Sequence, residues 1–125
     1  MCGWTAPSGW RRARVAKGRV IAVDGDRIVD WDSFHDAMSE AFAFPAWYGR
    51  NMDAWIDLMT RLDEDRATTG FFVEPGEIVT IDLKNGRGLR ARCREIYDAL
   101  VESSAFVNRR RLESGGTAYL CLAFD

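Results

Sequence analysis

Two carboxylates, Asp53 and Asp57, are the residues whose type and spacing point most clearly to a function. They lie in a segment of helical periodicity, where a step of about 100° per residue places them on one face, one turn apart. Such a pair could act as general acid and base, bind a metal ion or receive the cationic groups of a partner. Because like charges one turn apart repel and no histidine accompanies them, we favour a basic partner.

Few other side chains could take part in catalysis or bind a metal ion. The three cysteines, Cys2, Cys93 and Cys121, are odd in number and widely spaced, which indicates neither a disulfide framework nor a zinc site. We expect Cys93 and Cys121 to be reduced thiols in or near the core, and the single histidine, His35, to be structural or on the surface. A Cys–His pair is the enzyme alternative, but no motif surrounds these residues. We therefore predict no catalytic residue, no metal and no cofactor.

A short glycine-containing segment, residues 86–88, follows a predicted strand and precedes a predicted helix. That position suits an anion site, but the segment lacks the third glycine and the lysine of a phosphate-binding loop. We interpret it as the turn that starts the helix.

The charges are unevenly distributed along the chain, although its net charge is only −2. Residues 24–65 contain eleven acidic and three basic residues, whereas the first 23 residues contain five basic residues and no acidic one. An acidic half disfavours direct binding to nucleic acid and favours a basic protein surface. The alternative is an acidic face that is merely solvated.

The N-terminal segment, residues 1–18, contains tryptophans, a proline and a basic cluster, but no apolar stretch typical of a signal peptide. No apolar run in the chain approaches the roughly 20 residues that a membrane-spanning helix needs. We expect a cytoplasmic protein with a flexible arm over residues 1–18 and one domain over residues 19–125.

Apolar runs predict three strands, and helical spacing predicts three helices. The strands are 19–23, 78–83 and 118–124, and the helices are about 30–42, 50–62 and 89–113, the last with a break near Cys93 and with Ile96, Tyr97, Leu100, Val101 and Val107 facing inward. Long helical connections favour parallel pairing of the strands. The predicted fold is therefore α/β, a small three-stranded parallel sheet covered by helices, with a long polar connection over residues 63–76 that could hold a small helix or hairpin.

A short loop with two large aromatic residues, Trp47 and Tyr48, directly precedes the helix of the acidic pair. These residues either pack over the core or provide an anchor for a partner, since aromatics beside charges are common in interface hot spots. Gly49 and Asn51 would then shape the loop and cap the helix.

Residues 44–57, with the sequence FPAWYGRNMDAWID, resemble the barstar family of small inhibitors of extracellular ribonucleases of the barnase type. The family pattern has leucine or phenylalanine, proline, two aromatics, glycine, any residue, asparagine, an aliphatic residue, aspartate, alanine and a second aspartate four residues after the first. The first strand, the Asp-Gly turn, the helix with His35 and the final strand fit in the same order. The resemblance covers about residues 19–125, and it is specific over residues 44–57.

The resemblance implies a stoichiometric inhibitor of the immunity or antitoxin type, monomeric when free, that fills the basic active site of a ribonuclease or nuclease toxin. Asp57 would enter the phosphate-binding pocket, Asp53 would add a charge at its rim, and Trp47 stands where the family has a tyrosine. The implied partner-binding residues are Trp47, Tyr48, Gly49, Asn51, Asp53 and Asp57. The alternative is an interaction domain of the same fold with a non-nuclease or unrelated toxin partner.

The chain departs from the family near the end of its last long helix. The family's well-known member has further acidic residues there, whereas this chain reads Asn108-Arg109-Arg110-Arg111. In the alternative reading, the three arginines would belong to the chain's own binding site.

Overall fold

A computed structural model describes residues 18–64 and 70–124 of the chain. Within these ranges the strands and helices are, in chain order, β1 (Gly18–Asp24), α1 (Trp31–Phe42), α2 (Met52–Thr60), β2 (Ile78–Lys84), α3 (Gly86–Arg92), α4 (Arg94–Glu113) and β3 (Leu120–Phe124), with a short 3-10 helix at Gly25–Arg27. The three strands are parallel in the order β1-β2-β3, so the predicted α/β fold is confirmed. The predicted arm, except for Gly18, lies outside the described residues.

The sheet carries the core on one of its faces. Val79, Ile81 and Leu83 alternate along β2 and are fully buried, while Thr80 and Asp82 between them are only partly buried. This alternation is typical of a sheet with one packed face, rather than the continuous burial of a parallel sheet covered on both sides.

The other sheet face explains why one cysteine is not where we expected it. Cys121 is exposed, since it pairs in register with Thr80 on the less covered face, and its neighbour Leu120 is the buried residue. The prediction of a core or near-core Cys121 is therefore wrong. Cys93 is partly buried, in agreement with a near-core thiol.

The helix boundaries follow from local signals in the sequence. The sequence allows Asp30 or Asp32 to cap α1, and the cap is Asp30, which accepts a hydrogen bond of 2.8 Å from the Ser33 amide. The predicted break at Cys93 separates α3 from α4. Within α4, Ile96, Leu100 and Val107 are buried and Tyr97 is partly buried, but Val101 is 39% exposed and its predicted inward position is wrong.

The segment at residues 86–88 starts α3, as predicted. Gly86 is buried against the ring of Phe124, and a Cβ added to Gly86 would lie 2.7 Å from that ring. Asn85 caps the helix in a left-handed conformation, with its side chain accepting from the Gly88 amide. Close packing, not an anion, accounts for the glycine at position 86.

The connection between α2 and β2 is tied down at two points in its described parts, 61–64 and 70–77. The Gly70 amide donates to the Ala43 carbonyl, and the Val73 amide donates to the Leu62 carbonyl. Those parts consist of turns and irregular backbone, without the small helix or hairpin that the sequence allowed. None of the helices in the described ranges is long and apolar enough to cross a membrane.

Candidate functional site

The helix that carries the acidic pair begins at a well-formed cap. Asn51 accepts a hydrogen bond of 2.8 Å from the Ala54 amide, and its side-chain amide donates to the Gly49 carbonyl. The cap predicted for Asn51 is thus confirmed. Because Trp55, Leu58 and Met59 face the core, Asp53 and Asp57 are left exposed on the solvent side of α2.

Gly49 lies close to the first turn of α2. A Cβ added to Gly49 would lie 3.3 Å from the Ala54 Cβ and 3.4 Å from the Asn51 side chain. These distances are tight for a side chain, so glycine lets the loop approach the helix closely.

The two aromatic residues of the loop point in opposite directions. Tyr48 is buried, and its hydroxyl forms a 2.6 Å hydrogen bond with Nδ1 of His35 on α1. Its ring packs against Phe44, with 4.6 Å between ring centroids. Trp47, in contrast, is 68% exposed. The structure therefore answers the question that the sequence left open: Tyr48 packs over the core and fixes the loop, and Trp47 is presented to solvent.

His35 is a structural residue of this assembly, as expected. It is 3% exposed and stacks on Trp31, with ring centroids 6.0 Å apart. Burial lowers the pKa of His35, and the nearby charge of Arg50 lowers it further, while Asp32 and Asp36 act in the opposite direction. Burial also raises the pKa of Tyr48 well above its ordinary value, so the hydroxyl keeps its proton.

Arg50 is a residue of the site that the sequence analysis did not single out. Its guanidinium donates to the Asp32 carbonyl at 3.0 Å and forms an ion pair with Asp36 at 3.0 Å. Its backbone has φ +54°, in the left-handed region that non-glycine residues seldom adopt. The signal available was that Arg50 is the single base between Arg27 and Arg61 in the acidic stretch. Arg50 thus ties the loop to α1.

The two carboxylates of α2 differ in their surroundings. Asp57 forms an ion pair of 2.7 Å with Arg61, and a second guanidinium, from Arg110 of α4, lies 4.0 Å away. Asp53 forms no ion pair with any residue in the ranges 18–64 and 70–124. The cations beside Asp57 thus offset the repulsion between the two carboxylates within the chain, so the pair does not require an external base.

A sequence profile for one family, described as Barstar (barnase inhibitor), matches residues 18–114, well over half of the chain. The chain belongs to the barstar family. Members of this family bind ribonucleases as inhibitors and are not enzymes. A search of curated proteins found no match.

In this barstar-family chain the three consecutive arginines of α4 have separate roles. Arg111 is buried and forms two hydrogen bonds with Asp63, of 3.0 and 2.8 Å, and its guanidinium lies 3.6 Å from the Tyr119 ring centroid. Arg109 is exposed and pairs with Glu113 in the next turn. The three arginines therefore do not form one exposed binding site, because Arg111 belongs to the core.

At least five of the eleven acidic residues in the acidic stretch of this family member form ion pairs with arginines within the fold. Some of these bases come from α3 and α4, far away in sequence. The ion pairs are Arg27–Glu40, Arg50–Asp36, Arg61–Asp57, Arg92–Asp26 and Arg111–Asp63. The surface is accordingly less acidic than the sequence of residues 24–65 suggests. Asp53 is the carboxylate of the predicted pair that has no cation partner among the described residues.

No group of histidine, cysteine and acidic residues in the described part of the chain could hold a metal ion.

Proposed function

We propose that the chain is a stoichiometric inhibitor that occludes the cationic active site of a ribonuclease with α2 and the loop before it. The observation that carries this proposal is the exposed Trp47 on a fixed loop directly in front of the exposed Asp53 and Asp57. Membership of the barstar family supports a ribonuclease as the partner.

The chemistry of the two carboxylates suits such a site. A ribonuclease must hold RNA phosphate with cationic side chains, and a carboxylate offers the same guanidinium or ammonium groups an alternative anion. Asp53 can accept a cation without breaking an ion pair to any described residue, whereas Asp57 exchanges its longer contact with Arg110 for a cation of the partner.

The loop is suited to binding because it is already fixed in the free protein. The Tyr48–His35 hydrogen bond, the Arg50–Asp36 ion pair and the Asn51 cap hold it from three sides. A preorganised loop loses little conformational entropy on binding. Trp47 can then bury a large aromatic surface against the partner, as interface hot spots commonly do.

As such an inhibitor, the protein would be monomeric when free and would act in the cytoplasm, where an immunity protein protects the cell that makes a ribonuclease.

A second candidate function is an interaction domain with a non-nuclease or unrelated toxin partner. One observation favours it: Asp57 lies between two arginines rather than in an acidic patch.

Titration of RNA cleavage separates the two candidates. The protein is added to barnase and to a panel of other small basic ribonucleases, and residual activity is measured at fixed RNA concentration. We expect activity of at least one ribonuclease to fall linearly to zero at one equivalent of inhibitor. If no ribonuclease is inhibited even at a large excess of the protein, the result would favour the interaction domain instead.

A further inference from the structure

Asp57 lies between guanidinium groups from two different helices. Arg61 follows the last residue of α2, and its Nη2 is 2.7 Å from Oδ2 of Asp57. Arg110 lies in the last turn of α4, and its Nη2 is 4.0 Å from Oδ1. The three side chains are each about half exposed, with fractions of 51, 45 and 44% for Asp57, Arg61 and Arg110. They therefore form a charged patch on the surface.

The sign of the charge changes along α2. Asp53 lies in the first turn, where the partial positive charge of the helix end stabilises a carboxylate. Asp57 lies toward the other end, where the helix dipole disfavours an anion and the two arginines offset it. Asp57, Arg61 and Arg110 together carry a formal charge of +1, whereas Asp53 carries −1.

The two arginines are held differently. Arg61 is in direct contact with Asp57 and also lies 3.5 Å from the Asp57 carbonyl, so it fixes the orientation of the carboxylate. Arg110 is at the outer limit of an ion pair, and the only carboxylate near its guanidinium within the described residues is Asp57. Arg110 can therefore turn toward a partner at the cost of only one weak ion pair, its contact with Asp57.

A purely cationic site would fit this patch poorly. Its cations would attract Asp53 and Asp57 but would repel Arg110, and burying a guanidinium without an anion is unfavourable. A site that has an acidic side chain next to its cations fits better, because the acid receives Arg110 while Oδ1 of Asp57 accepts a cation of the site and Oδ2 stays paired with Arg61. Charge complementarity therefore selects the second kind of site.

We infer that Arg110 is a specificity-determining residue, which pairs with an acidic side chain of the ribonuclease in the complex. This inference rests on the proposed function and adds the chemistry of the partner to it. Arg61 acts as a positioning residue through Asp57.

The test uses the ribonuclease that the unaltered protein inhibits most strongly in the panel that includes barnase. Inhibition constants are measured for Arg110→Gln and Arg110→Lys, with Arg109→Gln as the matched control because Arg109 pairs with Glu113 instead. We expect Arg110→Gln to weaken inhibition at least tenfold, Arg110→Lys to restore most of the loss, and Arg109→Gln to change it less than threefold.

The direction of the effect decides the question. If Arg110 only competes with the ribonuclease for Asp57, Arg110→Gln will strengthen inhibition, and the inference is overturned while the proposed function stands. Equal effects of Arg110→Gln and Arg109→Gln would also overturn it, since they would show only a general dependence on net charge. If the protein inhibits no ribonuclease, the proposed function and the inference fail together.

Discussion

The hydroxyl of Tyr48 lies 2.6 Å from Nδ1 of His35, and this buried hydrogen bond joins the loop in front of α2 to α1. It fixes the neighbouring Trp47 in its exposed position. The hydrogen bond links the interior of the domain to the surface that we propose binds the ribonuclease, so the stability of the domain and the shape of the surface depend on the same contact.

Tyr48→Phe should lower the free energy of unfolding by about 1 to 2 kcal/mol, because the buried imidazole nitrogen loses its partner. Urea unfolding measures this change. Tyr97→Phe is a suitable control, since Tyr97 packs beside Phe124 and its hydroxyl makes no hydrogen bond within the described residues. If the two variants lose equal stability, the Tyr48–His35 bond contributes nothing specific.

The stability of the protein should depend on pH through His35, the only histidine of the chain. Because the pKa of His35 is lowered from its ordinary 6.5 in the folded protein, the unfolded chain binds this proton more tightly. The stability that the neutral, buried imidazole of His35 contributes is fully present above pH 6.5, and it is lost as the pH falls from 6.5 through the lower pKa of the folded protein. NMR titration of the single imidazole should give a midpoint below 6.5, and a midpoint at or above 6.5 would refute the sign.

The same pH dependence can be assigned to His35 by substitution. In His35→Asn, the fall in unfolding free energy between pH 7.5 and 5 should be smaller than in the unaltered protein. A fall of the same size in both would place the titrating group elsewhere.

Arg111→Met should destabilise the fold by about 3 to 5 kcal/mol, because it leaves Asp63 partly buried without its cation. Arg109→Met removes the same charge from an exposed ion pair, and we expect it to change stability by less than about 0.5 kcal/mol. Thermal or urea unfolding of the two variants makes the comparison. Similar losses for both would contradict the buried role of Arg111.

Asn51→Ala should lower stability by about 1 kcal/mol, since the first turn of α2 loses its cap. Asn51→Asp keeps the oxygen that accepts from Ala54 but loses the amide that donates to Gly49. We therefore expect Asn51→Asp to retain most of the stability. If Asn51→Asp is as unstable as Asn51→Ala, the cap is not the source of the effect.

Much of the fold could be predicted because its signals are local. Apolar periodicity located the strands and helices, and the caps at Asp30 and Asn51 and the break at Cys93 depend on neighbouring residues. Cys121 and Val101 were predicted wrongly because an apolar run does not reveal which side of a half-covered sheet or helix faces the core.

The candidate site was predicted only in part, because its charges are set by contacts distant in sequence. Arg111 reaches Asp63 across 48 positions, and Arg110 reaches Asp57 from another helix. Neither contact has a signature in the spacing of residues. The opposite directions of Trp47 and Tyr48 likewise depend on where His35 lies in the folded chain.

The most direct test of the proposed surface is the inhibition constant of Asp57→Ala against a ribonuclease that the unaltered protein inhibits. Asp98→Ala is the matched control, since Asp98 forms an exposed ion pair with Arg94 one turn away on α4, as Asp57 does with Arg61 on α2. We expect Asp57→Ala to weaken inhibition roughly 100-fold, or about 3 kcal/mol, with the fold intact, and Asp98→Ala to have little effect. Inhibition that is indifferent to Asp57→Ala, or equally sensitive to Asp98→Ala, would contradict binding through α2.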